Sequence, residues 1–296
     1  MNLKQVNDYF KNIDWMDGEW FHFCTLFFSK DSPIESPIWV REVEEICNAK
    51  GLSFKYVSVM DSGEEYDFVY SKFFSNPISE NNSDLTILSS SPTIKIPYLT
   101  YLNAKLDWSG DRKEMGMRNM TLYLSDKLMS FASFKELFLA FLNSSVLSPF
   151  ISYGFCSHIE DISNNDYAIF PMSSQNFLTE TNRGFSFNQE DGGKWYENIC
   201  GCQDGQVAPL QQALEAKQLH LSGKFRHIDI LNVLTDLHAQ QVVGGVKLID
   251  WINSDPMHGY IELIKPNLYL WEVPKDCLDA VQTVMYENNL LIAVKD

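Results

Sequence analysis

The chain has 296 residues, 45% of them hydrophobic and 14% aromatic, which excludes a disordered polymer and exceeds the usual size of one compact core. Its 23 Lys and Arg against 39 Asp and Glu leave a net charge of −16, spread as −7, −5 and −4 over residues 1–115, 116–218 and 219–296, so nucleic acid would be repelled. No run approaches the roughly 18 apolar residues of a membrane span, and MNLKQVNDYF lacks the features of a secretory signal, so a cytoplasmic location without membrane association is expected.

In chain order, Val6, Tyr9, Phe10 and Ile13 share one face of a predicted short helix that ends at Asp17-Gly18. Trp20 to Phe28 is aromatic and β-prone without alternation, which predicts a central strand covered on both faces. Ser36-Pro37 opens a helix carrying Trp39, Val43, Ile46 and Cys47 inward, and Gly51 stops it. Phe54 to Val59 alternates as a strand. Residues 61–92 read as an insertion with a short helix near Glu64 to Phe74 and a polar loop at Ser79 to Asp84. In Ile94 to Leu102, Pro97 predicts an edge or bulged strand. A charged connector, Leu106 to Gly116, leads to a strand at Met120 to Leu124. Ser133 and Glu136 read as a capping box for a helix that presents Phe134, Leu137, Phe138, Phe141 and Leu142. Phe150 to Cys156 and Tyr167 to Phe170 read as strands around a polar turn, Glu160 to Asp166.

Residues 173–206 hold many Gly, Asn, Ser and Gln and read as a linker or long loop, followed by a helix at Val207 to Gln218. Beyond it, Asp229 reads as the N-cap of a helix with Ile230, Val233, Leu234 and Leu237 inward, stopped by Gly244-Gly245. Strands are expected at Val246 to Ile252, Tyr260 to Ile264 and Leu268 to Val273, the last two joined by a turn at Pro266-Asn267. A helix after Pro274 carries Cys277, Leu278, Val281, Val284 and Met285 inward and ends at Asn288-Asn289, and Leu290 to Val294 closes the chain as a strand.

The resulting fold class is α+β, with antiparallel or mixed sheets and helices mainly on one face. Its organisation is an N-terminal half over residues 1–172, the loop over 173–206 and a C-terminal half over 207–296. Both halves read as strand, helix, three strands, helix, strand, an order that either a duplication or chance would produce.

Catalytic motifs for phosphate, nucleotide, acyl transfer and zinc proteolysis are missing. Cys200 and Cys202 with His220 and His227 offer thiolate and imidazole donors, but their spacing suits ordinary thiols better than tetrahedral zinc. All six cysteines suit a reduced state, and neither metal nor cofactor is expected. His158, Glu160 and Asp161 cluster after Cys156, where a base, an orienting carboxylate and a nucleophile would sit in an enzyme. His22, inside the aromatic strand, reads as a satisfied core histidine.

Two loops set an aromatic among acids: Asp107, Trp108, Asp111 and Glu114, and Asp250, Trp251 and Asp255 with Met257 and His258. Rings ringed by charge suit interface anchors, although each tryptophan would equally serve as a core plug. The acidic balance reads either as a solvated surface or as a face shaped for a basic partner.

The aromatic strand Trp20 to Phe28, the acidic spread and the empty catalytic inventory together resemble immunity proteins of bacterial polymorphic toxins. That resemblance implies a tight one-to-one complex with a cognate protein toxin, blocking its active site or its motion, and it transfers no individual residue. The alternative is an enzyme without a familiar motif, a hydrolase or transferase using the His158 cluster.

Overall fold

The computed structural model describes residues 20–29, 36–52, 56–61, 64–69, 84–89, 98–103, 118–126, 128–160, 185–186, 223–225, 228–291 and 294–295. The fold is α+β, built on antiparallel sheet. The chain divides into two compact units, Met1–Ile151 with Glu160–Asn165, and Ser152–Ile159 with Asp166–Asp296.

In the first unit, β1 (Trp20–Phe28) is followed by α1 (Ser36–Ala49), then β2 (Tyr56–Asp61), β3 (Glu64–Val69), β4 (Asp84–Ser89), β5 (Tyr98–Asn103), β6 (Arg118–Ser125) and α2 (Phe131–Asn143). The strands run in the order β1-β6-β5-β4-β2-β3, each antiparallel to its neighbour. Every residue from His22 to Phe28 is buried, as expected of a strand that is apolar on both faces. His22 is itself a core residue: its Nε2 donates to the carbonyl of Met129 at 2.7 Å, and its ring lies 5.2 Å from that of Phe134.

Helix α2 buries Phe134, Leu137, Phe138, Phe141 and Leu142 completely. At about 1.5–3 kcal/mol for each such side chain, this stripe is a leading source of stability for the unit. The helix starts earlier than the Ser133/Glu136 pattern suggests. Ser130 is the N-cap and accepts from the Ser133 amide at 3.3 Å, which makes Ser133 the N3 residue. Glu136 then faces outward and meets Lys50 at 2.8 Å, and this ammonium holds its carboxyl below the ordinary range. So exposed a pair adds little to stability. Gly51, at φ 79°, ends α1 in the left-handed conformation while the Leu52 amide returns to the Cys47 carbonyl at 2.9 Å.

Two expectations for this unit are corrected. The segment from Glu64 forms strand β3, paired with β2 over Tyr56↔Val69 to Asp61↔Glu64, where a helix near Glu64 to Phe74 was expected. The sequence EEYDFV alternates with period two, which a strand satisfies and a helix does not. The strand after Pro97 is an interior one, between β4 and β6. The described strand begins at Tyr98, and Pro97 lies outside the described residues. Five strands therefore separate α1 from α2 instead of three.

Cys24 and Cys47 are buried free thiols in this core. Burial pushes both well above the ordinary thiol range, offset only in part at Cys24 by a backbone hydrogen bond at Leu122. Alkylation of the native protein, followed by mass spectrometry, should therefore modify half-buried Cys277 well before Cys24, Cys47 or Cys156. Rapid labelling of Cys24 or Cys47 would contradict this core.

In the second unit, β7 (Ile151–Glu160, of which all but the two end residues belong here), β9 (Leu231–Leu234), β12 (Tyr260–Lys265) and β13 (Leu268–Glu272) run in the order β12-β13-β9-β7, all antiparallel. Between β9 and β12 come α3 (Asp236–Ala239), the hairpin of β10 (Val242–Val243) and β11 (Val246–Lys247), and α4 (Leu248–Ser254). Helix α5 (Leu278–Glu287) follows β13, and a small separate pair joins β8 (Phe185–Ser186) to β14 (Val294–Lys295). Leu291 makes an isolated bridge to Phe225.

The expected helix from Asp229 is replaced by strand β9, with all four residues buried. The apolar positions in ILNVL fit either period, and a run this short is decided by its neighbours. Here β7 and β13 flank it on both sides, and Asn232 closes a local turn by donating to the Asp229 carbonyl at 2.7 Å and accepting from the Asp229 amide at 3.0 Å. The Asp229 carboxylate accepts from the Ser157 hydroxyl on β7. Leu237, expected inward, is 46% exposed. Gly244 and Gly245, with φ of 57° and 88°, make the β10–β11 turn, where both positions require the left-handed region. The expected strand Val246 to Ile252 is also corrected: after Lys247 the chain turns into α4, whose buried Leu248 and Ile252 are four residues apart on one face. The strands at Tyr260 and Leu268, the Pro266-Asn267 turn with Asn267 at φ 63°, and the helix ending at Asn288-Asn289 stand as read. Among the described residues, no helix is long and apolar enough to cross a membrane.

Candidate protein-binding edge

The acidic loop beginning at Asp250 is built by three successive turns of backbone. Asp250 is exposed in the first turn of α4, and Trp251 beside it is half-buried. Asp255 ends the helix in extended conformation and caps a 3-10 turn, Pro256–His258, its Oδ1 accepting from the Met257 amide at 2.8 Å. Gly259, at φ 98°, then directs the chain into β12. A Cβ at this glycine would lie 2.1 Å from the Glu272 carbonyl oxygen, so both conformation and space demand glycine.

An aromatic chain fixes the loop to the sheet. The Trp251 and His258 rings stack with centroids 3.6 Å apart and 13° between planes. His258 Nδ1 donates to the Trp251 carbonyl at 2.7 Å, and the indole N–H of fully buried Trp271 donates to the His258 carbonyl at 2.8 Å. Trp251 thus braces the loop as well as flanking its surface.

What the loop presents to solvent is apolar as well as acidic. Met257, Tyr260 and Leu263 are 60%, 62% and 57% exposed, three large side chains within seven residues. From Leu248 to Ile264 there are three carboxylates, Asp250, Asp255 and Glu262, and no Lys or Arg. An open cleft of about 540 Å³ adjoins them, lined by Ile252, Asp255, Gly259, Tyr260, Glu272 and Pro274 among others. Concavity, an aromatic wall and two carboxylates at its margin suit a cationic side chain with an apolar stem.

Tyr260 and Leu263 escape a reading of the sequence. In YIELIK a strict alternation puts Leu263 on the face of Ile261, and the register through Leu263↔Tyr269 keeps it there, yet Leu263 is exposed where Ile261 is buried; a bulge follows, between Leu263 and Lys265. The signal available was the adjacent Leu263-Ile264 pair, which breaks period two just before the Pro266-Asn267 turn.

The other candidate residues are placed as follows. Asp107, Trp108, Asp111 and Glu114 lie outside the described residues, as do Asp161, Cys200, Cys202, His220 and His227. Strand β7 continues to Glu160, so His158 stands within the strand rather than after its end, two residues beyond Cys156, which is 0% exposed. A thiol so enclosed is poorly placed to meet a substrate. Among the described residues, no group of His, Cys, Asp and Glu is arranged to hold a metal ion.

No protein-family model matches the chain, and no curated protein does either. Among solved structures, the chain is similar to Pseudomonas aeruginosa T6SS protein PA0821, with a TM-score of 0.50 and 11% identity over 92% of this chain and 74% of that one. The likeness is one of fold.

Proposed function

We propose that this protein is a non-enzymatic binding protein of the immunity type, which holds a cognate toxin with a basic surface in a one-to-one cytoplasmic complex. The observation that carries the reading is the exposure of Met257, Tyr260 and Leu263 on a segment bearing three carboxylates and no cation. Exposed large apolar groups rimmed by charge of one sign are costly in an isolated soluble protein and useful in an interface. The carboxylates raise the rate of encounter with a basic surface, and the apolar side chains, once buried, slow dissociation. Asp107, Trp108, Asp111 and Glu114 supply a second acidic arm in this reading. The fold shared with a T6SS protein supports a secretion-linked setting for such a partner.

The test is affinity capture from the source cell, followed by expression of the captured protein alone and together with this chain. A basic protein that arrests growth alone and is neutralised by co-expression is the expected result. Changing Tyr260 and Leu263 together to alanine should weaken the complex by about 2 kcal/mol or more, roughly thirty-fold. Absence of a stoichiometric protein partner, or neutralisation and affinity untouched by the double variant, would remove the reading.

A further inference from the structure

We infer that β12 is a docking edge, to which the partner adds an extended basic segment as a further antiparallel or parallel strand, with one cationic side chain entering the cleft beside Asp255 and Glu272. The inference rests on the binding reading above and specifies its geometry. Among the described residues β13 is the one strand paired with β12, which ends the order β12-β13-β9-β7.

Sheet edges are ordinarily guarded by Lys, Pro, a bulge or brevity, because an open edge pairs with any extended chain. In β12 the guards sit at the far end: the bulge between Leu263 and Lys265, the lysine itself and Pro266. The four residues Tyr260–Leu263 carry no lysine, proline or bulge, and Glu262 is their one charged side chain. Their exposed side chains are apolar at Tyr260 and Leu263 and acidic at Glu262. The bulge therefore sets the length of the docked strand, about four residues at some 3.3 Å each.

Charge selects the occupant. A second copy of this chain brings another −16 and, paired two-fold over the same four residues, sets Glu262 close to its own counterpart, an unfavourable cross-strand pair. An extended segment alternating basic and apolar residues instead sets its cations on the face shared by Tyr260 and Glu262 and lays apolar groups against Leu263 on the other face. A cation just beyond Tyr260 reaches the cleft, since Tyr260 stands opposite Glu272 in the register and both residues line it.

The experiment is amide hydrogen exchange on the full chain with a synthetic peptide of about ten residues alternating arginine and valine, long enough to span the edge. Two control peptides are the same sequence N-methylated at alternate residues, which keeps charge but removes strand pairing, and an alternating glutamate and valine peptide. The arginine peptide should slow exchange across Tyr260–Leu263 by about tenfold, and both controls should not. Leu263→Lys, which places a guard at an already exposed position, should abolish the protection while leaving exchange in α2 and β1 unchanged. Equal protection by the N-methylated peptide, protection that survives Leu263→Lys, or no change at these amides would overturn the docked strand. If the captured toxin is still neutralised while β12 gains no protection, the strand geometry fails and the binding reading stands. If no toxin partner exists, the binding reading fails whatever the peptide does.

Discussion

Truncating Phe138 to alanine should lower the unfolding free energy of the first unit by about 3–5 kcal/mol, among the largest effects expected of a single core substitution. Phe138 is 0% exposed at the centre of the α2 stripe, with Leu137, Phe141 and Leu142 around it and Phe134 one turn earlier. Removal of its ring loses the transfer energy of the aromatic group and leaves a cavity that close-packed neighbours fill only in part. Chemical denaturation is the measurement, with exposed Ala132→Ser as a comparison expected to stay within about 0.5 kcal/mol. A loss below about 1 kcal/mol for Phe138→Ala would mean that this face does not form the core described. Because the chain has two compact units, the transition should be followed by a probe within the first.

The second large effect is expected at Gly259. Alanine there must hold φ near 98° and place its Cβ 2.1 Å from the Glu272 carbonyl oxygen, which is backbone and cannot rotate away. Strain at the residue costs about 1–3 kcal/mol, and relief of the clash must displace β12 from β13 or the 3-10 turn from the sheet. Gly259→Ala should therefore destabilise the second unit by at least about 2 kcal/mol and, in the same variant, displace the Trp251–His258 stack. Unfolding of the second unit at wild-type denaturant concentration, with unchanged Trp251 fluorescence, would show that the close approach is not as described. Gly244 and Gly245 offer an instructive contrast: they share positive φ but have open space around them, so alanine there meets conformational strain alone.

The elements legible in the sequence are those whose local pattern and final surroundings agree. Trp20 to Phe28 lacks alternation, and from His22 to Phe28 every residue is buried on either face, whereas α2 shows period 3.6 because one face is covered. The α5 boundaries were marked by Pro274 and Asn288-Asn289, signals that act within a few residues of the chain. Errors arose where a remote neighbour decides. Leu231 to Leu234 form a strand because β7 and β13 flank them, and neither is local in sequence. The strand Tyr98–Asn103 is interior because β4 and β6 pair with it on both sides, which Pro97 nearby in sequence does not reveal. Ser130 outcompeted Ser133 as the cap because Phe131 could begin the helix three residues earlier, and both serines have suitable chemistry.

The candidate site was legible in part for the same reason. Asp250, Trp251, Asp255, Met257 and His258 were visible as an acidic stretch around aromatic and soft side chains. Trp251 is a half-buried ring stacked on His258, which braces the loop from within. Tyr260 and Leu263 look like ordinary strand residues, because the end of a sheet is not encoded by period two.

Association kinetics with the captured partner test the central claim most directly. The variant Asp250→Asn, Asp255→Asn and Glu262→Gln removes three charges, while Asn at position 255 retains an oxygen to cap Met257. With steering carboxylates gone, the association rate should fall several-fold at low salt, and the difference from wild type should close at high salt, with dissociation nearly unchanged. Tyr260→Ala should do the opposite, leaving association intact and speeding dissociation. Identical association rates for wild type and the charge variant at both salt concentrations would contradict an acidic binding edge in this part of the chain.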